Sequence, residues 1–233
     1  MTYLMSDLHG QYDKYRKMLD KIGFSDKDDL FILGDVVDRG PNPMACLRDM
    51  SLRANVFPIL GNCDWMARTL LPGIAAKDNT GKAALPLKNE YSDAVRLWLA
   101  DGGDGTLKDF IKLGAQEQEA ILDYLCEFSP YEEIEVNGIR YVLVHAGIDH
   151  FSPEKPLDVY TELDLCAGKC DYGRRYFSDR ILVTGHTPTF RIAPSSAGRI
   201  WRGNGHIVLD CGAGFGLPLG CLRLEDGKEF YVE

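Results

Sequence analysis

Short apolar runs, each ending abruptly in a polar cluster, recur along this chain. Tyr3 to Met5 runs into Ser6-Asp7-Leu8-His9-Gly10. Leu30 to Leu33 runs into Gly34-Asp35-Val36-Val37-Asp38-Arg39-Gly40, and Val56 to Leu60 into Gly61-Asn62-Cys63-Asp64. Brief apolar runs bounded by turn residues predict buried strands. Between them lie helical patterns. Tyr12, Tyr15, Met18, Leu19 and Ile22 share one face and stop at Gly23, while Pro43 opens a second helix to Leu52. Strand, helix, strand, helix, strand predicts a parallel sheet with crossover helices.

The pattern changes after Trp65. Helical patches at Glu90 to Ala100, Thr106 to Leu113 and Gln116 to Phe128 alternate with breaks such as Asp101-Gly-Gly-Asp-Gly105. The segment 65–130 therefore reads as a helical insertion or cap on a single domain spanning 1–233, with packing or cleft-lining as its role. Strands return at Ile134–Val136 and Ile139–Val144, joined by Asn137-Gly138, a hairpin signal. The second ends in His145-Ala-Gly147. A polar stretch from Asp149 to about Tyr176 leads to a strand at Ile181 to Val183, which ends in Thr184-Gly-His186-Thr-Pro188. Ile207–Asp210, Cys221–Leu224 and Phe230–Val232 suggest a second, antiparallel sheet.

Composition narrows the class. The formal net charge is −9 and no Lys/Arg-rich run occurs, which argues against a nucleic-acid face and against anionic membranes. No apolar stretch is long enough to span a bilayer. Met1 to Asp7 lacks the basic start and apolar core of a secretion signal. Seven scattered cysteines, odd in number, then suggest reduced thiols and a cytoplasmic setting. Cys166 and Cys170 form the one close pair, with no second pair to complete a zinc knuckle.

The chemistry lies in what the strand ends share. Asp7 with His9, Asp35 with Asp38 and Arg39, Asn62 with Asp64, His145, and His186 would converge if their strands are neighbours in one sheet. Asp, His and Asn donors without a thiolate set suit divalent ions such as manganese, iron or zinc. Asp7, His9, Asp35, Asn62, His145 and His186 are too many ligands for one ion. A shared carboxylate would instead build a pair of ions that activates water and clamps an in-line displacement. Arg39, with its forked donors, suits a phosphate. His150 and His206 read as structural or surface residues, and Trp98 and Trp201 as packing. The Gly-rich run Cys211 to Gly216 follows a late strand without a helix pattern after it, so it does not read as a dinucleotide site.

The five clusters, taken in order, resemble the calcineurin-like metallophosphoesterases. Val37-Asp-Arg-Gly40 resembles the phosphoprotein phosphatase branch, which includes bacterial Ser/Thr phosphatases and symmetrical diadenosine tetraphosphatases. The resemblance spans residues 4 to about 215. It implies an α/β fold, a four-layer αββα sandwich of two mixed sheets flanked by helices. It implies that Asp7 and His9 hold one metal, that Asn62, His145 and His186 hold another, and that Asp35 bridges them. Manganese is the first expectation for both ions, with iron, zinc, nickel or cobalt as alternatives. Arg39 and Asn62 would bind the phosphate, Asp38 would orient its neighbours, and Arg174 or Arg175 would add a second arginine.

Two positions depart from that pattern. Cys63 stands where the branch has a histidine that helps protonate the leaving group, although Gly-Asn-Cys-Asp resembles the small metallophosphodiesterases. His186 is followed by Thr187-Pro188 rather than by a second histidine two residues on, which favours the phosphatase branch. The sequence thus predicts a metal-dependent phosphoesterase acting on a phosphorylated protein or peptide, with diadenosine tetraphosphate, another nucleotide or a phosphodiester as the alternative. A metal-bound sensor of phosphorylated ligands without turnover is the reading from another class.

Overall fold

The computed structural model of the chain describes residues 1–75 and 89–233. The stretch 76–88 of the expected helical segment lies outside the described residues. The first half runs β1 (Thr2–Met5), α1 (Tyr12–Ile22), β2 (Asp29–Leu33), α2 (Pro43–Ser51), β3 (Val56–Ile59) and α3 (Asn62–Ala75). Next come α4 (Asn89–Trp98), α5 (Asp104–Phe110) and α6 (Ala115–Cys126), with a π-turn at Leu99–Gly103 between the first two. The second half holds β4 (Tyr131–Val136), β5 (Ile139–Val144), α7 (Glu162–Cys166), β6 (Arg180–Thr184), α8 (Thr189–Ile192), β7 (Trp201–Gly203), β8 (His206–Val208), β9 (Leu219–Arg223) and β10 (Glu229–Val232).

These strands form two mixed five-stranded sheets, ordered β10-β9-β1-β2-β3 and β4-β5-β6-β8-β7. β1, β2 and β3 run parallel, as do β5, β6 and β8. Antiparallel strands close the edges. The strands read as continuous apolar runs because both of their faces are covered. Tyr3, Met5, Leu30 and Ile32 face α1, α2, α3 and the α4–α6 segment. Their neighbours Leu4, Phe31 and Leu33 meet Tyr141, Leu143 and Val183 of the second sheet. Val142, Val144 and Leu182 then face outward, under Ile148, Leu157, Leu165 and Tyr176. The outermost layer there is mostly irregular chain around the short α7.

The sequence reading of the last strands needs one correction. Ile207 lies in β8, which pairs parallel to β6, whereas β9 and β10 add to the edge of the first sheet beside β1. The three do not make a second sheet together. Apolar alternation reports that a strand is buried and leaves its partner open. The hairpin partner β7 (Trp201–Gly203) was also absent from that reading, since three residues carry too short a pattern.

His206 shows what the second sheet tolerates. It sits at the start of β8, with Nε2 2.9 Å from Thr184 Oγ1 and Tyr172 stacked on its ring. Burial pushes its pKa down to about 4. An unfolded histidine titrates at about 6.5, so the neutral ring's contribution is complete above that pH and is lost as the pH falls toward 4. That loss amounts to about 3 kcal/mol at most. Urea unfolding at pH 7.5 and 4.5 should therefore show a smaller pH-dependent loss in His206→Gln than in the native chain. Equal losses in the two proteins would remove this assignment.

Candidate metal centre

The parallel strands of both sheets bring their carboxyl ends together, and the polar clusters meet there. The loop after β1 continues to pair with the loop after β2: Asp7 N donates to Gly34 O and His9 N to Asp35 O, at 3.0 and 2.8 Å. Gly34, at φ +74, lets this crossing happen, because a Cβ there would come 2.5 Å from His145 Nδ1. Nine described residues other than glycine have positive φ, and six of them are Asp7, His9, Asp35, Asp38, Arg39 and His186. Left-handed backbone at such residues costs of order 1–3 kcal/mol each and persists where the surroundings over-determine it. The strain is concentrated on the side chains that the sequence reading singled out.

The donor atoms face one another. His9 Nδ1 is 3.0 Å from Val37 O, which fixes that nitrogen as the N–H and leaves Nε2 with its lone pair. His145 Nδ1 is likewise 2.7 Å from Leu33 O, with Nε2 3.3 Å from Asp35 Oδ1 and 3.2 Å from Asn62 Oδ1. His9 Nε2 lies 3.7 Å from Asp35 Oδ2 and 3.9 Å from Asp7 Oδ1. The His145 and His186 rings meet edge to face at 5.1 Å. Donor atoms of His9, Asp35 and Cys63 fall within 4.8 Å of one another, as do those of Asp35, His145 and His186. Asp35 belongs to both groups.

The residues fit divalent cations on their own chemistry. Asp7 is 1% exposed, and its Oδ1 has no hydrogen-bond partner, although Oδ2 accepts from Ser6 Oγ and from His186 N at 2.9 Å. A buried carboxylate oxygen left without a donor is costly unless a cation meets it. Burial and the neighbouring Asp35 charge push the Asp7 pKa well up. Burial opposes ionisation of Asp35 too, but His145, His9 and the Cys63 N–H hold it down at about 2. Burial lowers His9, and it lowers His186 to about 4, so both imidazoles are neutral and able to ligate near pH 7.

Around these donors sits a set of braces. Asp64, fully buried, accepts from Val36 N and Val37 N through Oδ1, at 3.0 and 3.3 Å, and from Gly61 N through Oδ2 at 3.1 Å. It thus caps the start of α3 and pins the loop after β2 to it. Asp38 accepts from Trp98 Nε1 at 2.8 Å and from Thr106 Oγ1 at 2.6 Å. Its pKa rises to about 6, mainly through burial. Trp98, read from sequence as packing, is buried in the core and also supplies this donor. Arg39 N donates to Gly102 O at 2.9 Å, and its Nη1 reaches His9 Nε2 at 2.8 Å. Cys63 gives Asp35 its N–H at 2.9 Å and its thiol at 3.2 Å.

The two arginines expected to offer a second phosphate contact have other partners. Arg174 lies over the Phe151 and Tyr176 rings on the outer face of the second sheet. Arg175 donates to Phe177 O and Ser178 O and packs on Gly205, at the strand ends away from the cluster. None of these contacts is with a proposed metal ligand. Asp210, which sequence reasoning missed, is buried beyond β8 beside Asp7, and burial with the Asp7 charge pushes its pKa well up. Its signal was available, since it too is a carboxylate at the end of an apolar run. His150 is exposed, as the sequence reading had it.

Comparison with known proteins adds the lineage. A symmetrical bis(5'-nucleosyl)-tetraphosphatase of Buchnera aphidicola subsp. Acyrthosiphon pisum is 42% identical over 153 residues, covering 64% of this chain and 52% of that protein. One from Nitrosospira multiformis is 26% identical over 262 aligned positions, covering 99% and 95%. The chain spans about half the length of the Buchnera relatives that it matches at 42%. A crystal structure provisionally named a diadenosine tetraphosphatase superposes with a TM-score of 0.68 over 99% of this chain and 92% of that one; at 16% identity the likeness is one of fold. No helix among the described residues is long and apolar enough to cross a membrane. The profile of the calcineurin-like phosphoesterase family matches residues 2–211, through every strand-end cluster from Asp7 to His186, and the chain belongs to that family.

Proposed function

We propose that this protein is a metal-dependent phosphoesterase whose substrate is a dinucleoside polyphosphate, cleaved by water at a two-metal centre. The observation that carries the centre is the position of Asp35, whose carboxylate is shared by two separate donor groups. Asp7 and His9 would complete one metal site, and Asn62, His145 and His186 the other, with manganese the first choice for both. Divalent ions held there would acidify water and neutralise charge on the phosphate. Arg39 would bind the equatorial oxygens of the reacting phosphate through its fork, with Asn62 beside it. Asp64, Asp38 and the two backbone carbonyls that anchor His9 and His145 keep the donors in place.

Two observations favour this substrate over the phosphorylated protein that the sequence reading placed first. The curated relatives carry the tetraphosphatase name. The second is Cys63. Burial pushes its thiol well above the usual range, so it stays protonated, yet a thiol is a weak donor. A nucleoside diphosphate leaves as a stable anion and asks little of a general acid, whereas the alcohol leaving from phosphoserine asks much. General acid help is worth about 10²–10⁴-fold where it is needed.

Aryl phosphates of graded leaving-group acidity test this directly. Rates of the manganese-loaded protein should fall steeply as the leaving group becomes more basic, and diadenosine tetraphosphate should outpace a phosphoserine peptide. Equal rates across the series, or preference for the peptide, would return the assignment to a protein phosphatase.

A further inference from the structure

The Gly-rich run Cys211 to Gly216 has no place in the centre described above, yet it lies against it. A Cβ on Gly214 would stand 2.5 Å from His9 Cδ2, so the turn Ala213–Phe215 packs directly on a proposed metal ligand. That turn presents Phe215, which is 48% exposed and so is poorly explained as core. The Arg39 guanidinium lies 5.5 Å from the centre of the Phe215 ring, and the Arg191 guanidinium lies 5.7 Å from it. Phe190 meets the same ring edge-on at 5.9 Å, and Thr189 N ties α8 to Asp210 O at 2.9 Å. One aromatic ring therefore positions two cations, one of them already in the phosphate site.

Arg191 is one of five arginines, with Arg39, Arg174, Arg175 and Arg199, that make no ion pair with a carboxylate among the described residues. Nine other arginines of this acidic chain are held in ion pairs with carboxylates. Arg191, exposed near the end of α8, has no carboxylate within ion-pair reach among the described residues. A guanidinium resting on an aromatic face keeps its edge donors free for an anion. By contrast, a cavity of about 630 Å³ lined by Arg16, Asp49, Arg53 and Asn55 lies at the amino ends of the strands, where Asp49 already satisfies both arginines.

We infer that Arg191 and Phe215 form an outer phosphate subsite, continuous with Arg39, that binds the non-reacting phosphates of a polyphosphate chain. It deepens the dinucleoside polyphosphate reading and rests on it for the identity of the substrate. Arg191 contacts the distal phosphates. Phe215 is a positioning residue that holds both guanidiniums at one spacing. The subsite separates polyphosphates from simple monoesters, which end at the phosphate held by Arg39.

The test uses the manganese-loaded protein with diadenosine tetraphosphate and p-nitrophenyl phosphate side by side. In Arg191→Gln, the ratio of kcat/KM for the first over the second should fall about tenfold, chiefly through KM, as for loss of one charge-assisted hydrogen bond. Phe215→Leu should lower the same ratio, and Phe215→Tyr, which keeps the ring under both guanidiniums, should restore it. Calorimetric titration with ADP should weaken in Arg191→Gln while inorganic phosphate binds as before. An unchanged ratio together with unchanged ADP affinity overturns the subsite. If the native protein hydrolyses neither compound, the hydrolase reading falls, and the ADP and phosphate titrations alone decide the subsite.

Discussion

Asp35→Asn should lower manganese-dependent turnover by roughly a thousandfold or more, because in the proposed centre this carboxylate would serve both metal sites at once. The substitution leaves shape and most of the local hydrogen bonding intact. Cys63 N can still donate to the remaining oxygen, which it now meets at 2.9 Å. What disappears is the charge that both donor groups share. The metal-free protein should therefore melt within a few degrees of the native one, while the rise in melting temperature on adding manganese is lost. A ligand at a hundred times its Kd stabilises by about 2.7 kcal/mol, which is easily seen in such a scan. Turnover above a tenth of native, or an undiminished manganese shift, would contradict the bridging role.

Arg39→Ala should produce a comparable loss by a different route. Among the described residues Arg39 is the only arginine placed among the proposed ligands, and removal of one transition-state donor commonly costs about 10²–10³ in rate. Metal binding should survive. In this structure Arg39 Nη1 lies 2.8 Å from His9 Nε2, on the lone pair that a metal would use. Without that competitor, manganese should bind as tightly as before or more tightly. Arg39→Lys keeps the charge and loses the planar fork, so it should recover only part of the rate. The two variants thus separate cleanly: one loses the metal, the other the phosphate. A fall in manganese affinity in Arg39→Ala would place Arg39 in the wrong role.

The strand ends were legible in the chain because each cluster is contiguous and follows an apolar run. Asp7 and His9, or Gly34 to Gly40, need no tertiary information to be noticed. Their convergence follows from parallel strands, whose carboxyl ends share one edge. Sheet membership was less legible. β8 and β9 are both apolar on two faces, so nothing local tells which sheet each joins. Contacts between distant residues were the least legible of all. The bond from Trp98 Nε1 to Asp38 joins residues 60 apart, and Asp64 ties the start of α3 to Val36 and Val37. The arginines make the same point. Arg174 and Arg175 precede the last histidine, where the family pattern suggested an arginine, but their partners lie on the outer face of the second sheet and at the far strand ends. Arg191 follows that histidine and reaches the Phe215 ring beside the centre.

Backbone strain adds a physical reason for the site's position. Six left-handed residues other than glycine crowd two neighbouring loops and the turn at His186. Such geometry is held by the hydrogen bonds of Asp64, Asp38 and the paired loops, and it aims the donors inward before any ligand arrives. Preorganised donors lose little freedom on binding.

The most direct test of the account is product analysis. The protein is stripped of metal, refilled with manganese and incubated with diadenosine tetraphosphate, with Asp35→Asn run in parallel. The account predicts two bound ions per chain, ADP as the product, and no product from the Asp35→Asn chain. Two ions bound with diadenosine tetraphosphate left intact, or equal ADP release by Asp35→Asn, would contradict it.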